Sequence, residues 1–380
     1  MSFSGSYDTK FQPVVDRFVK NFTELGDVGA SFAATIEGEY VIDIYDGHRN
    51  AAKTEPWQAD TIVNVYSTTK TMTFLTILLL VERGQLSVTD KVAKHWPEFA
   101  QNGKEAIEVR HLLSHSAGLS GVNERTKPED LYDWEKITQL LAAQAPWWEP
   151  GTQSGYHAIT QGYLLGEVVR RITGKTIGTY FKEEIAEPLG ADFHIGVDPK
   201  HHDRIAELIP PPAAEPDPNA PAPDPESIAL RTFMNPSSDV KQTTTAEWRQ
   251  AEIPAANGHG NARSVVQVQS VLANLGSFSG VDLLSKETCL SVMTEQTNGM
   301  DLVLGVPMVF GLGYGLRSAA SPMGVNPNTC FWGGYGGSSI LVDMDAHVCL
   351  SYVMNKMEAG ALGDPRGFGL AAALFSSLTA

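Results

Sequence analysis

The sequence has few cysteines, no long hydrophobic run and no obvious targeting segment. Its three cysteines lie far apart and lack the close spacing of metal ligands, so neither a disulfide framework nor a cysteine metal site is indicated. The longest apolar run, Phe74 to Val81, is too short to span a bilayer. The first residues have neither the charged start nor the apolar core of a signal peptide. We therefore expect a reduced, cytoplasmic protein with no membrane partner.

Basic residues are also scarce. The chain of 380 residues holds 28 basic and 44 acidic residues, which gives a net charge of −16. This balance opposes binding to nucleic acids and to anionic membranes. The expected partner is a small neutral or cationic molecule.

Several chemical motifs are missing. The chain has no Gly-x-Ser-x-Gly nucleophile elbow, so an esterase of the α/β-hydrolase type is not indicated. Gly311-x-Gly313-x-Gly315 lies in a strand-like run without a following helix, so no dinucleotide site is expected. His111 and His115 are four residues apart but lack the Glu of an H-E-x-x-H pattern, and a structural role is favoured for both. We expect no metal and no cofactor.

What the sequence does contain is a short β-like run, 63–66, that passes through Ser67-x-x-Lys70 into a strongly apolar helix. Residues three apart share a helical face, so the amine of Lys70 would lie within reach of the Ser67 hydroxyl. The helix N-terminus would add free N–H groups and a positive field. The motif alone is weak, because Ser238-x-x-Lys241 repeats it without an apolar helix behind it. We predict Ser67 as a nucleophile and Lys70 as its neighbouring base.

The periodicity predicts an α/β (α+β) fold with sheet-forming sequence at both ends and helices between. We expect a discontinuous α/β domain of residues 1–66 and 262–380 and a mainly helical inserted domain of residues 67–261. The helical domain includes a proline-rich loop, 209–227, either a solvated surface loop or a flap over a pocket. The predicted helices are 8–22, 67–82, 109–113, 131–144, 159–173, 177–189, 264–275 and 365–378. The predicted strands are 29–36, 40–45, 61–66, 310–316, 329–332, 338–343 and 348–354.

Two further segments could supply chemistry to Ser67. The turn-rich stretch 150–158 places Tyr156 at a loop tip, where a tyrosine either packs half-buried or acts as an acid or base. The stretch 331–338 holds four glycines between two β-like runs. Such a segment is either a hairpin turn or a place where backbone approaches a ligand closely enough to form an oxyanion hole.

Together these segments resemble the serine β-lactamase and penicillin-binding-protein superfamily, especially the class C β-lactamases and the family VIII carboxylesterases. Ser67-x-x-Lys70 matches the S-x-x-K motif, and Tyr156-His157-Ala158 falls where those proteins carry Y-x-N or a shorter tyrosine motif. Trp332-Gly333-Gly334 falls where the β-lactamases carry K-T-G and the esterases W-G-G. The segment 112–119 is similar to a supporting segment of the family. The likeness runs from about residue 29 to residue 356 and implies a β-lactamase-like fold, with an antiparallel sheet flanked by helices.

The resemblance also implies a mechanism. Ser67 would form an acyl-enzyme while Lys70 and Tyr156 share the role of general base, and the sequence leaves open which of the two holds the proton. The N–H groups of Ser67 and Tyr335 would form the oxyanion hole.

Two departures from the family pattern favour esters over β-lactams. Trp332 replaces the lysine of K-T-G, and Ala158 replaces the asparagine of Y-x-N, so polar recognition of a β-lactam is lost. We predict a serine carboxylesterase acting on small carboxylic esters. The alternatives are a β-lactamase or D-amino-acid peptidase, an acyltransferase with the same nucleophile, or a non-catalytic ligand sensor or scaffold. The oligomeric state stays open. The residues expected to contact substrate are Trp332, Gly333, Gly334, Ala158 and His259.

Overall fold

A computed structural model describes residues 3–212 and 224–379 of the chain. The strands are β1 (Ser4–Tyr7), β2 (Gly29–Ile36), β3 (Glu39–Gly47), β4 (Val63–Asn64), β5 (His259–Gly260), β6 (Ser277–Phe278), β7 (Val281–Asp282), β8 (Thr297–Met300), β9 (Pro307–Phe310), β10 (Gly315–Leu316), β11 (Thr329–Gly333), β12 (Ser339–Asp343) and β13 (Val348–Met354). The helices are α1 (Gln12–Thr23), α2 (Thr69–Glu82), α3 (Val92–His95), α4 (Val109–Leu113), α5 (Trp134–Ala143), α6 (Thr160–Thr173), α7 (Ile177–Phe181), α8 (Glu187–Leu189), α9 (Ile228–Met234), α10 (Ala246–Gln250), α11 (Ala262–Ala273), α12 (Lys286–Ser291) and α13 (Pro365–Thr379).

Both ends of the chain contribute to one antiparallel sheet. Its nine strands follow the order β1-β3-β2-β13-β12-β11-β10-β9-β8. The ends meet where β2 pairs with β13, with Ala30 opposite Met354 and Ile36 opposite Val348. The prediction that sheet-forming sequence from both ends shares one sheet is confirmed. The division into two domains at the predicted boundaries stays a prediction.

Helices cover both faces of the sheet at β2 and β13. On one face, the hydroxyl of Thr35 lies 2.7 Å from that of Ser270 in α11. On the other, Phe32 pairs with Tyr352, and a Cβ added to Gly367 of α13 would lie 3.4 Å from the Tyr352 ring. Since neighbouring residues of a strand point to opposite faces, α11 and α13 sandwich this part of the sheet. The strand β2 is consequently buried almost from end to end.

The long helix α2 is the core element that the sequence predicts. Every residue from Thr69 to Leu80 is buried, as expected for a helix that is apolar nearly all round. The helix ends at Glu82, and Gly84 follows with a φ of +66°. A 3-10 turn, Tyr66–Thr68, leads into the helix. The predicted strand over 61–66 is reduced to the two residues of β4, which pair with β5.

The structure corrects one predicted strand and adds two edge strands that the sequence does not predict, and most of one predicted loop lies outside the described residues. The single strand expected over 310–316 is wrong, because the chain turns back at Gly311–Gly313, where Gly313 has a φ of +97°, and forms the separate strands β9 and β10. The strands β1 and β8 lie at the two edges of the sheet, where short, exposed sequence gives little hydrophobic alternation to detect. Most of the proline-rich loop, 213–223, lies outside the described residues.

The helices predicted over 109–113, 131–144 and 159–173 correspond to α4, α5 and α6, whereas α3, α9 and α10 are not among the predicted helices. The helix expected over 177–189 is present as α7 and α8, joined by a π-helical turn at Lys182–Ala186. None of the helices in residues 3–212 and 224–379 has the length and apolar character needed to cross a membrane.

Candidate active site

Ser67 sits on a strained turn at the start of α2. The residue before it, Tyr66, has a φ of +41°, in the left-handed region that a tyrosine seldom adopts. The turn is held by Thr69, whose hydroxyl donates a hydrogen bond to the carbonyl of Tyr66 (2.5 Å) and accepts one from the amide of Gly258 (2.8 Å). Ser67 is 8% exposed, so it is largely shielded from solvent.

Two other side chains named from the sequence lie within hydrogen-bond distance of the Ser67 hydroxyl. The Nζ atom of Lys70 is 3.1 Å from Ser67 Oγ, and the Tyr156 hydroxyl donates to the same oxygen at 2.5 Å. The Ser67–Lys70 contact follows from helical spacing, whereas Tyr156 arrives from a loop 89 residues away. The structure therefore brings the three residues together around one oxygen atom.

Lys70 is almost fully buried, with 1% of its surface exposed, and burial lowers its pKa well below the usual value. Its Nζ donates hydrogen bonds to the carbonyl oxygens of Ala158 (2.7 Å) and Ala255 (2.9 Å). A neutral amine has two N–H bonds and one lone pair. In this neutral form the two carbonyls take both N–H bonds, so the lone pair is directed at Ser67 Oγ, 3.1 Å away, and can accept the hydroxyl proton.

Tyr156 is held in place by a buried carboxylate. Burial raises the pKa of Tyr156 above its usual value, so the phenol keeps its proton and donates it toward Ser67. The amide of Tyr156 donates to Asp301 Oδ1 at 3.0 Å, and the amides of Val303 and Leu304 donate to the same oxygen at 2.9 and 2.8 Å. Asp301 is not predicted from the sequence, because it lies 145 residues from Tyr156 and belongs to no motif.

The glycine-rich turn after β11 lies against the Ser67 loop. A Cβ added to Gly334 would lie 2.2 Å from the carbonyl oxygen of Val65 and 3.2 Å from the amide nitrogen of Ser67, so only glycine allows this approach. The turn is fastened by Ser338, whose hydroxyl donates to the Val65 carbonyl at 2.9 Å and lies 2.9 Å from the Thr68 hydroxyl. The sequence pattern indicates this segment but gives no structural role to Ser338.

Trp332 is packed inside the protein. Its side chain is 1% exposed, and its indole stacks on the His115 ring with centroids 5.7 Å apart. The ring of Tyr156 lies 5.7 Å from the indole and 5.0 Å from His115. The aromatic packing therefore supports one side of the Tyr156 ring. A direct contact between Trp332 and substrate stays a prediction.

The histidines near the site have structural contacts. His115 Nδ1 accepts a hydrogen bond from the amide of His157 (3.0 Å), and burial lowers the pKa of His115 well below its usual value. His157 Nε2 accepts from the amide of Leu119 (3.1 Å), which places its ring proton on Nδ1, facing the carbonyl of Gly155. Burial lowers the pKa of His157 to about 3, so the imidazole is neutral. His111 Nδ1 accepts from the amide of Glu108 at the start of α4.

The other residues expected to contact substrate have varied positions. Ala158 contributes its carbonyl oxygen to Lys70. Gly333 lies so close to Leu362 that an added Cβ would be 2.3 Å from its backbone. His259 is fully buried in β5, its Nδ1 lies 2.7 Å from the carbonyl of Asn257, and burial lowers its pKa to about 3. Substrate contacts of these residues stay predictions.

Two other candidate sites, the second Ser-x-x-Lys motif and a metal site, find no support in the described residues. The second motif copy, Ser238 and Lys241, lies exposed on the surface beside a 3-10 turn. Within residues 3–212 and 224–379, no group of three or more His, Cys, Asp and Glu side chains is placed to hold a metal ion.

Several known proteins are similar to this chain in sequence and in fold. A family model described as Beta-lactamase matches residues 15–374. The esterase/beta-lactamase LipL of Mycobacterium tuberculosis is 33% identical over 375 residues, covering 93% of this chain and 83% of LipL. The solved structure of a family VIII carboxylesterase has a TM-score of 0.93 and 37% identity, covering 99% of this chain and 100% of the other. A penicillin-binding-protein homologue from Caulobacter crescentus has a TM-score of 0.91 and 37% identity, with coverage of 99% and 100%.

These matches confirm the family resemblance and the β-lactamase-like fold inferred from the three motifs. The matching family model covers nearly the whole chain, including Ser67, Lys70, Tyr156 and the turn after β11. The chain belongs to the beta-lactamase family.

Proposed function

We propose that this protein is a serine carboxylesterase of the family VIII type, which hydrolyses small carboxylic esters through an acyl-enzyme on Ser67. The observation that carries the proposal is the buried Ser67 oxygen, which lies within hydrogen-bond distance of both Lys70 Nζ and the Tyr156 hydroxyl. Two similar proteins support the substrate class: one is named an esterase/beta-lactamase and the other a family VIII carboxylesterase. The non-polar residues Trp332 and Ala158 at two motif positions also favour esters over β-lactams.

In the proposed acylation step, Lys70 accepts the Ser67 proton as Ser67 Oγ attacks the ester carbonyl carbon. The lowered pKa of Lys70 and the two carbonyls that hold its N–H bonds support the amine as the acceptor. The raised pKa of Tyr156 supports the phenol as a proton donor. In this proposal Lys70 is the proton acceptor and Tyr156 the proton donor, whereas the motifs alone imply that the two share the role of general base.

The tetrahedral intermediate then collapses. Its negative oxygen accepts hydrogen bonds from the amides of Ser67 and Tyr335, and the closeness of Gly334 to the Ser67 amide supports this pairing. As the C–O bond breaks, Tyr156 donates its proton to the departing alkoxide, and the phenolate so formed takes a proton from the Lys70 ammonium, which lies beside the Tyr156 ring. A water molecule repeats the sequence on the acyl-enzyme and releases the carboxylic acid.

A chromogenic short-chain ester tests the proposal directly, with Ser67→Ala as the control. We expect ester turnover by the unmodified enzyme and its loss in Ser67→Ala, together with a covalent phosphonate adduct on Ser67 by mass spectrometry. Ester turnover that survives Ser67→Ala would contradict the nucleophile assignment. An adduct without turnover of esters would favour the ligand sensor.

β-Lactam hydrolysis is the second candidate, because the similar LipL is named both an esterase and a beta-lactamase. A chromogenic cephalosporin assayed beside the ester separates the two. We expect much slower turnover of the cephalosporin. Fast cephalosporin turnover with none on esters would overturn the choice of esters.

We also propose a cytoplasmic location. It is supported by the cysteines, which are all in the described part of the chain, buried and unpaired. Cell fractionation with an activity assay would test it, and recovery of the enzyme outside the cytoplasmic fraction would contradict it.

A further inference from the structure

A buried ionic cluster lies under the glycine-rich turn, on the side away from Ser67. Its centre is Arg366 in the first turn of α13, which is 1% exposed. One guanidinium nitrogen lies 2.6 Å from Asp27 and the other terminal nitrogen 2.6 Å from Asp364. The hydroxyl of Tyr352 donates to Asp27 at 2.6 Å. Neither carboxylate belongs to the catalytic cluster around Ser67.

Arg366 uses every donor that a guanidinium offers. Its Nε–H faces Asp364, its Nη1 donates to Asp27 and to the carbonyl of Lys356 (2.8 Å), and its Nη2 donates to Asp364 and to the carbonyl of Gly336 (2.8 Å). A guanidinium carries five N–H bonds in a fixed plane, so the two carboxylates orient the donor that reaches Gly336. The two carboxylates therefore fix the direction of the hydrogen bond that Arg366 donates to Gly336.

Gly336 belongs to the same turn as the proposed oxyanion donor. The turn runs from Gly334 to Gly337 and is closed by a hydrogen bond from the Gly337 amide to the Gly334 carbonyl at 3.1 Å. Tyr335 is its first central residue and Gly336 its second. The Gly336 carbonyl also accepts from the amide of Glu358 (3.0 Å), and its amide donates to Gly360 (3.1 Å).

The turn is thus fixed at two ends, by Ser338 on the Ser67 side and by Arg366 on the other. We propose that Arg366 is a positioning residue for the oxyanion hole, which sets the Tyr335 amide against Ser67 by holding the carbonyl of Gly336. The inference rests on the proposed acyl-transfer function, because only in that function does the Tyr335 amide stabilise an oxyanion. It adds a residue that no catalytic motif contains.

The backbone around the cluster explains how closely the turn is placed. Gly337 has a φ of +128°, and a Cβ added there would lie 2.2 Å from Asp364 Oδ2 and 2.6 Å from Arg366 Nη2. Any side chain at Gly337 would push the turn off the cluster. Misplacing a catalytic donor by about 1 Å can lower a rate by about a hundredfold.

Two variants disturb this contact in different ways. Arg366→Lys keeps the positive charge, but a single ammonium cannot span both carboxylates and the Gly336 carbonyl. Gly337→Ala changes no charge and displaces the turn by steric overlap, so it carries the test if Arg366→Lys does not fold. The matched control is Glu167→Gln, which weakens another buried ionic cluster, in which Arg170 and Arg171 bind Glu167 within the helical part of the chain.

The measurements separate positioning from a loss of folded protein. A p-nitrophenyl alkylphosphonate counts active sites by stoichiometric release of nitrophenolate and also gives the rate of phosphonylation of Ser67. Per titrated site, we expect kcat for the ester and the phosphonylation rate to fall about tenfold to a hundredfold in both variants, with KM changed less than about twofold. We expect Glu167→Gln to lower Tm and leave kcat unchanged.

A thionoester tests the oxyanion hole itself, because sulfur accepts hydrogen bonds more weakly than oxygen. The variants should lower the ester rate more than the thionoester rate, so the ratio of the two rates falls. An unchanged ratio, or kcat per titrated site within twofold of the unmodified enzyme in the variants that fold, would overturn the inference. If the unmodified enzyme is phosphonylated but turns over no ester, the proposed function fails while the phosphonylation rates still decide the inference. If it does neither, both fail.

Discussion

Replacing Lys70 by arginine should remove most of the esterase activity while keeping a hydrogen-bond donor in place. Lys70 Nζ lies 3.1 Å from Ser67 Oγ and donates to the carbonyls of Ala158 and Ala255. In the neutral form these two carbonyls take both N–H bonds, and the lone pair is directed at Ser67 Oγ. A guanidinium has no lone pair to offer and stays protonated at any working pH. Lys70→Arg can therefore donate to the two carbonyls but cannot accept the Ser67 proton.

The expected loss is that of the general base alone. General-base catalysis contributes about a hundredfold to ten-thousandfold, and each tenfold corresponds to about 1.4 kcal/mol of activation free energy. Tyr156 is the other group within hydrogen-bond distance of Ser67 Oγ among the described residues, and its raised pKa keeps it protonated. We therefore expect kcat to fall about a thousandfold, or about 4 kcal/mol.

The assay is kcat and KM on a chromogenic short-chain ester, with circular dichroism to verify folding. Lys70→Gln is a second variant, because an amide is also unable to accept the proton and fits the site more easily than a guanidinium. Lys94→Arg is the matched control, since Lys94 is an exposed lysine paired with Asp90. We expect the control to behave like the unmodified enzyme.

The residual activity of Lys70→Arg decides whether the neutral amine of Lys70 is the base. If Lys70→Arg keeps more than about a tenth of the activity, the neutral amine is not the base, because a group that stays protonated would be performing its task. Loss of activity in Lys70→Arg but not in Lys70→Gln would point instead to steric damage by the larger side chain.

Four further predictions follow from the same geometry. As pH falls through the lowered pKa of Lys70, the amine becomes protonated and kcat/KM should drop, whereas the raised pKa of Tyr156 should keep the rate level to about pH 9. A pH–rate profile that declines from pH 6 to 8 would contradict the role of Tyr156, and one that rises only near the ordinary pKa of lysine would contradict the role of Lys70. Tyr156→Phe should lower kcat about a hundredfold to a thousandfold with little change in KM, and a steady-state assay retaining over half of kcat would exclude Tyr156 as the proton donor. Gly334→Ala should destabilise the fold by about 1–3 kcal/mol in urea unfolding, because its Cβ would lie 3.2 Å from the Ser67 amide and 2.2 Å from a carbonyl oxygen; an unchanged midpoint would show that the turn can move away. Asp301→Ala should lower Tm more than Asp301→Asn, because the asparagine keeps a side-chain oxygen that accepts hydrogen bonds from the same three backbone N–H groups. Equal decreases in Tm, measured by differential scanning calorimetry, would contradict this account.

Much of the fold can be predicted from local sequence pattern. Short windows of sequence are enough to identify the apolar helix α2, the amphipathic helix α1 and the continuous runs of small, apolar and β-branched residues in β2 and β13. The edge strands β1 and β8 could not be found, because a strand with one exposed edge and polar residues has no hydrophobic pattern. The break between β9 and β10 depends on the turn at Gly311–Gly313, which reads in sequence as a continuous strand.

The candidate site divides in the same way. Ser67 and Lys70 could be paired from helical spacing, and Tyr156 and Gly334 could be named from motif order. Asp301 could not, because a single carboxylate 145 residues from the loop that it holds carries no signal of its own.

The sequence by itself determined which residues are candidates for the chemistry, because the Ser67–Lys70 spacing and the glycines after β11 are local properties of the chain. Only the tertiary structure decided which groups surround them. The carbonyls that orient Lys70 come from residues 88 and 185 positions away, and burial by the whole core moves the pKa of Lys70 down and that of Tyr156 up. Protonation depends on solvent exclusion and on hydrogen-bond partners brought together by folding, and neither is encoded in the spacing of a motif.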